Sequence, residues 1–151
     1  MTENFDDYVA RAIQWAQAHL GSEAYPARCL AFVEDAYERS NHIEMFGGST
    51  AKESATIYEV HCAIAQPPPC GAFVFYDCFG TLFDEYKNWG NVGLCIGSEQ
   101  VIHAWKRVRQ DHYLEIQHLT PAPGWQPPQY LGWAPVARIL TGYQKKEWEA
   151  R

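Results

Sequence analysis

The hydrophobic pattern of the chain changes near Gly71, and this change limits the possible folds more than any other feature. Before it, apolar residues recur at three- and four-residue steps, as from Phe5 to Leu20, which predicts a first helix that ends at Gly21. After it, apolar and polar residues alternate in short runs typical of β-strands. Helices followed by consecutive strands predict an α+β fold with helices packed on an antiparallel sheet.

Two further helices are predicted before the change. Pro26 suits the first turn of a helix containing Cys29, because its missing N–H has no partner to lose there. Thr50 and Glu53 have the spacing of a capping box, which predicts a third helix extending to about Cys62. Strands are predicted at residues 72–76, 91–97, 100–105, 113–118 and 133–140, and residues 144–151 are expected to fray.

Length and charge restrict the class of protein. A chain of 151 residues suits one domain, residues 1–151, and its net charge of -6 argues against binding to nucleic acid. Without a membrane-length apolar run or a signal-like N-terminus, we expect no membrane partner and a cytoplasmic location. Export by a dedicated secretion system, or release by lysis, would bring the protein outside the cell. Its five cysteines are an odd number, which favours reduced thiols.

Cys29 is the best placed of these thiols to react. A thiol attacks as its thiolate, and the predicted helix N-terminus together with the Arg28 charge should lower the Cys29 pKa. Cys29 is therefore a candidate nucleophile, and the alternative is a buried structural cysteine.

A predicted hairpin carries two residues that matter for such a thiol. From Asn91 the residues alternate between apolar and small or polar side chains. If the loop near Ser98 has an odd number of residues, Asn91 and His103 lie on the same face of the hairpin, where His103 can face a packed helix. The alternative for His103 is a purely structural histidine.

Other chemistry-bearing residues give weaker signals. His61, Cys62, Cys70 and Cys78 lack the close Cys-x-x-Cys pairs of structural zinc sites, so we expect no metal and no cofactor. Trp125 lies in a proline-rich loop and can border a cleft. His112 can approach the site if its strand lies beside that of His103.

Several motifs in order resemble those of the NlpC-type cell-wall cysteine peptidases, from about Phe5 to Leu140. The motifs are Cys-Leu-Ala-Phe-Val from Cys29, Gly-Ala-Phe-Val-Phe-Tyr from Gly71, Asn-Val-Gly-Leu-Cys-Ile-Gly from Asn91, Val-Ile-His-Ala from Val101 and Leu-Gly-Trp-Ala-Pro-Val-Ala-Arg from Leu131. The resemblance implies a papain-like fold in which a cysteine begins a helix packed on an antiparallel sheet. It also implies hydrolysis of peptidoglycan stem peptides, often between D-glutamate and a diamino acid, or of other small peptides.

The resemblance also assigns roles. It makes Cys29 the nucleophile and His103 the residue that orients the base, while the base position itself is Asn91, where the family has histidine. Tyr25 matches a tyrosine that covers the substrate, with a core role as the alternative, and Arg28 and Trp105 are the other candidate substrate-binding residues. Arg28, Leu30 and Ala72 depart from the family pattern at the nucleophile and the first strand.

Because of Asn91, we expect this form to be severely impaired as a hydrolase: an amide cannot accept the thiol proton or return it to the leaving amine. The chain is then either a natural pseudoenzyme or an enzyme whose base was replaced. Two other functions stay open: a non-catalytic module that binds a peptide or protein partner, and a thiol acyltransferase.

Overall fold

The computed structural model describes residues 4–60 and 66–149. Its helices are α1 (Asp6–Ala18), α2 (Cys29–Asn41), α3 (Ala51–Ile57) and α4 (Val136–Ile139), with one 3₁₀ helix (Glu115–His118). Its strands are β1 (Ile43–Glu44), β2 (Phe73–Asp77), β3 (Phe79–Leu82), β4 (Glu85–Asn88), β5 (Asn91–Gly97), β6 (Gln100–Trp105), β7 (Arg107–His112), β8 (Gln129–Ala134) and β9 (Gln144–Lys145). No helix in the described ranges is long and apolar enough to cross a membrane.

Five antiparallel strands form the central sheet in the order β7-β6-β5-β2-β8. Helix α2 packs on β5 and β6, and α1 packs on α2. The main hydrophobic core fills the space between the helices and the inner face of the sheet, and a smaller core around Val74, Cys95 and Ile116 covers the outer face. The predicted α+β architecture is confirmed.

Helix α2 forms where its sequence offers a continuous apolar face. Phe32, Val33, Ala36 and Tyr37 are fully buried on this face. The Tyr37 hydroxyl donates a 2.6 Å hydrogen bond to the Gly71 carbonyl, which ties the helix to the chain just before β2. The start of α2, where Cys29 lies, is therefore fixed against the sheet.

The β5–β6 hairpin has the predicted bounds and the predicted parity. His103 lies opposite Gly93, and Leu94 lies opposite Ile102, which puts Asn91 and His103 at positions of the same parity. Leu94 and Ile102 belong to the inner core under α2, so His103 points to the outer face. The expectation that His103 faces a packed helix is wrong for α2.

The N-terminal elements differ from the prediction at their ends. Helix α1 stops at Ala18, and Pro26 lies in a turn before α2, closed by the 3.2 Å bond from the Arg28 N–H to the Tyr25 carbonyl. Helix α3 begins at the predicted cap, where the Glu53 N–H donates to Thr50 Oγ1 at 3.0 Å. It ends at Ile57 rather than near Cys62, because Glu59 has a left-handed backbone with φ of 57°.

Two predicted strands are wrong. Residues 113–118 contain the 3₁₀ helix, which places Ile116 over the outer face, while the neighbouring edge strand is the more polar β7. Residues 133–140 are strand only to Ala134, because Pro135 lacks an N–H for the ladder and becomes the N-cap of α4.

The C-terminal segment is packed, not frayed, as far as Glu149. Strand β9 pairs with β1, and the Trp148 indole N–H donates to the Ile43 carbonyl at 2.7 Å. The β3–β4 hairpin was also not expected from sequence. Its tip, Phe83 and Asp84, adopts the left-handed backbone of a tight turn without the usual Asn or Gly.

Candidate active site

A cavity of about 580 Å³ opens at the N-terminus of α2. Cys29 and Leu30 line it from the helix, Asn91 from the start of β5, and Trp105 and Lys106 from the β6–β7 turn. The cavity therefore lies where the helix start and one end of the central sheet meet.

Cys29 is the first residue of α2 and is half-buried in the cavity wall. Burial raises the pKa of its thiol, although the backbone N–H groups of Val92, Leu30 and Cys29 itself bond to the sulfur and oppose the shift. The sequence-based expectation of a lowered pKa is wrong, because desolvation outweighs the helix N-terminus. At neutral pH the sulfur is a thiol.

Asn91 lines the same cavity as this sulfur. Its Oδ1 accepts a 3.0 Å hydrogen bond from the Val92 N–H, the same group that bonds to the Cys29 sulfur. Its Nδ2 is buried and has no partner within the described part of the chain. Position 91 thus shares the cavity with Cys29, and the amide there has no titratable nitrogen.

His103 is fully buried and does not line the cavity. Its Nε2 bonds to Asp111 Oδ2 at 2.8 Å, and Arg109 binds both oxygens of the same carboxylate, at 2.8 and 3.0 Å. The His103 hydrogen bond, followed by that of Arg109, lowers the Asp111 pKa to about 2, while burial lowers the pKa of His103. His103 Nδ1 is buried without a partner among residues 4–60 and 66–149.

Of the three candidate substrate-binding residues, two line the cavity and one does not. Arg28 and Trp105 line the cavity. Tyr25 does not: its hydroxyl donates to Asp35 Oδ2 at 2.7 Å, and its ring packs edge-on against Phe32, with centroids 5.4 Å apart. The structure thus places Tyr25 against α2. His112 bonds to Glu99 at 3.4 Å. It is the last residue of β7 and lies opposite Gln100, three residues beyond Arg109, the residue opposite His103.

Several cavity residues were not identified from sequence. Trp89, Cys78 and Glu34 line the wall, as does Trp125, whose loop placement had suggested a cleft. Glu34 follows Leu30, another lining residue, by four positions in α2, and residues four apart share a helix face, so a helical projection from Leu30 is the signal that can find it.

Strained backbone accompanies the cavity. Ala27, Phe83 and Lys106 all line it and have φ values of 54°, 52° and 56°. Left-handed conformations cost such residues on the order of 1–2 kcal/mol each, and such strain collects at functional sites. Three separate loops are therefore held in unfavourable conformations around one cavity.

The carboxyl group of Glu34 has an unusually high pKa. It is half-buried, has no hydrogen bond or ion pair to any described residue, and its pKa is raised to about 8 by burial and by the nearby charges of Glu38 and Asp35. The carboxyl group is therefore mostly neutral at pH 7.

Glu34→Gln should stabilise the protein at pH 8.5 by on the order of 2 kcal/mol and change its stability little at pH 5. The reason is that a raised carboxyl pKa gives stability that is lost as the pH rises from the unfolded value, about 4.3, to the folded one. Urea unfolding at the two pH values measures this, with the exposed Glu23→Gln as control. An equal effect at both pH values would contradict an ionisation effect.

Nothing in the described ranges groups three or more His, Cys, Asp or Glu side chains so as to hold a metal ion. Of the four residues considered as metal ligands from sequence, His61 and Cys62 lie outside the described residues, and Cys70 and Cys78 are free thiols.

Comparisons with known proteins give the fold. No protein-family model matches the sequence, and no curated protein matches it. Among solved structures, NlpC1 from Trichomonas vaginalis matches with a TM-score of 0.51 and 20% identity over 89% of this chain and 47% of that one. NlpC2 from the same organism matches with a TM-score of 0.53 and 18% identity over 89% of this chain and 48% of that one. The chain thus spans about half the length of each.

A third match is RipD from Mycobacterium tuberculosis, described as a non-catalytic NlpC/p60 domain protein adapted to peptidoglycan binding. Its TM-score is 0.47 and its identity 14%, over 85% of this chain and 97% of that one. The likeness to the two Trichomonas structures, together with the helix-borne cysteine on an antiparallel sheet, shows that the chain has the NlpC/p60 type of papain-like fold.

Proposed function

We propose that the chain belongs to the NlpC-type cysteine hydrolases, with Cys29 as nucleophile, and that Asn91 leaves this form severely impaired. The observation that carries the proposal is the placement of the Cys29 sulfur at a helix start, inside a cavity that it shares with Asn91. The reaction would be hydrolysis of an amide bond in a peptide, with peptidoglycan stem peptides as the first candidates.

The helix start supplies more than the sulfur. N–H groups in the first turn of a helix have no partner within the helix, and those of Cys29 and Leu30 lie at the sulfur. When the thiolate attacks a carbonyl, such groups can stabilise the negative oxygen that forms. This supports acyl chemistry at Cys29 in preference to a purely structural thiol.

His103 would act as a positioning residue. His103 Nε2–H donates a hydrogen bond to the Asp111 carboxylate, which leaves Nδ1 as an acceptor without a partner in the described residues, on the face that also carries position 91. An imidazole at position 91 would be able to donate to that nitrogen, and such a bond fixes the tautomer of a catalytic base. With Asn91, the protein keeps the orienting group and lacks the base.

The test is hydrolysis of muropeptides and of a broader panel of peptide amides. Asn91→His should hydrolyse at least one substrate about 10² to 10⁴ times faster than the parent protein, because that is the usual contribution of a general acid–base group. Adding Cys29→Ala to Asn91→His should abolish the activity. A folded Asn91→His protein that is inactive on the whole panel would argue strongly against the proposal.

A second candidate is a non-catalytic module that uses the same cavity to bind a peptide or protein partner. The neutral Cys29 thiol and the absent base favour it. Calorimetric titration with muropeptides separates the two functions: binding by the parent protein, with no turnover by either the parent or Asn91→His, supports the module.

A further inference from the structure

The walls of the cavity are largely apolar and aromatic. Three tryptophans line it, Trp89, Trp105 and Trp125, and Leu30 and Leu82 line it as well. Its volume of about 580 Å³ lies within the range of small-molecule sites. Such walls lose little when they exclude water and gain most from an apolar occupant.

Charged groups occur in two places. Arg28 and Lys106 line the cavity as exposed side chains, so their charges stay at the solvent rim. Glu34 is half-buried, and its raised pKa of about 8 leaves it neutral at pH 7. At pH 7 and below, Glu34, the acidic residue among those that line the cavity, is therefore mostly uncharged and presents no ionised carboxylate to a substrate.

The rim of the cavity also carries an exposed apolar side chain, Phe83, whose backbone conformation is unfavourable. Phe83 is 90% exposed at the tip of the β3–β4 hairpin, and its backbone is left-handed. Its ring lies 6.1 Å from that of Trp89 at an angle of 70°. A phenylalanine that is both exposed and strained contributes little to the fold itself, which points to a contact with a ligand at the rim.

We propose that the cavity binds an apolar acyl group of the substrate, with the carbonyl carbon at Cys29 and the hydrocarbon against the three tryptophans and Phe83. The inference rests on the proposed function, since it uses the same nucleophile, and it names the acyl side of the bond that is cleaved. It departs from the charged D-glutamyl acyl group that the family resemblance implies.

Activated esters test the inference without a general base. Cys29 Sγ attacks the carbonyl carbon of a 4-nitrophenyl ester, the S–C bond forms, the C–O bond breaks, 4-nitrophenolate leaves and the thiol proton passes to the buffer. The acylated protein is measured by mass spectrometry with peptide mapping. The exposed Cys70 thiol is acylated in the same sample and serves as the internal reference.

The octanoate ester should acylate Cys29 at least about tenfold faster than the acetate ester, relative to the same ratio at Cys70. Tenfold corresponds to about 1.4 kcal/mol, which two buried methylene groups can supply. The 4-nitrophenyl monoester of octanedioic acid, which has the same length and a terminal carboxylate, should lose this advantage.

Variants locate the effect. Phe83→Asn should reduce the octanoate preference severalfold, while Phe46→Asn, a change at another exposed phenylalanine outside the cavity, should not. In the parent protein the preference should fall between pH 7 and pH 9 as Glu34 ionises, and Glu34→Gln should remove this dependence. The ratio cancels the ionisation of the thiol, which affects both esters equally.

Among the titratable groups around Glu34, we assign the fall in octanoate preference between pH 7 and pH 9 to Glu34 itself. Asp35 and Glu38 face it from α2, and Tyr58 lies close enough to be affected by its charge from the end of α3. Across the cavity are Cys78 and the cations Arg28 and Lys106. Burial raises the pKa values of Tyr58 and Cys78, so both are neutral in this range.

The outcomes separate the two proposals. Equal acylation of Cys29 by all three esters would overturn the apolar acyl site and leave Cys29 as a nucleophile. Acylation of Cys70 with none at Cys29 would overturn both. Selectivity for octanoate followed by transfer to an added amine, rather than to water, would support the acyl site and assign a thiol acyltransferase.

Discussion

Asn91→His should raise the rate at which Cys29 reacts with iodoacetamide at pH 7 by about ten- to a hundredfold. In the parent protein burial raises the pKa of the thiol, so very little thiolate is present. Asn91 Oδ1 and the Cys29 sulfur both bond to the Val92 N–H, so an imidazole at position 91 would lie beside the sulfur. A thiolate–imidazolium pair would then be stabilised over the neutral thiol.

The measurement is the rate of carbamidomethylation, resolved by peptide mapping, with Cys70 as the reference thiol. Asn91→Gln changes size without adding a base and should leave the Cys29 rate within about twofold of the parent. An Asn91→His rate equal to that of Asn91→Gln would mean that position 91 does not act on the sulfur, and the proposed hydrolase would lose its base position.

Phe32→Ala should lower the free energy of unfolding by about 3–5 kcal/mol, the usual cost of removing a buried phenylalanine. Phe32 is completely buried one turn after Cys29, and its ring lies 5.8 Å from that of Trp15 and 5.4 Å from that of Tyr25. It therefore joins α1, the turn before α2 and α2 itself. The melting temperature should fall by roughly 10 °C or more.

Urea unfolding and calorimetry measure this change, with Phe46→Ala as the matched control. Phe46 is 51% exposed, so its removal should alter stability by less than about 0.5 kcal/mol. If Phe32→Ala does not fold, the milder Phe32→Leu should still lose about 1–1.5 kcal/mol. Equal effects of the two alanine variants would contradict the assignment of Phe32 to the core.

The sequence predicted most reliably the features that depend on neighbouring residues. The alternation from Asn91 set the bounds of β5 and β6, because residues two apart share a face of a strand. The Thr50 cap set the start of α3, because its side chain satisfies an N–H three residues away. The NlpC-like motifs predicted the fold that the structural comparison shows.

Local sequence patterns did not predict the elements whose structure depends on contacts with residues distant in the sequence. The edge strand β7 is polar, and only its pairing with β6 makes it a strand, whereas the more apolar residues after it turn away to cover the outer face. The C-terminal segment is ordered by Trp148 and by β1, which lies about a hundred positions earlier in the sequence. Neither contact leaves a short-range signal.

For the site, the sequence by itself supplied the candidate residues and the fact that Asn91 lacks a titratable nitrogen wherever it lies. Only the tertiary structure decided their surroundings. Desolvation raises the Cys29 pKa where the helix start alone would lower it, and His103 points to the face opposite α2. The tryptophan walls and the neutral Glu34 come from separate elements. Burial and the dielectric environment depend on the whole packed chain, and a single segment does not contain that information.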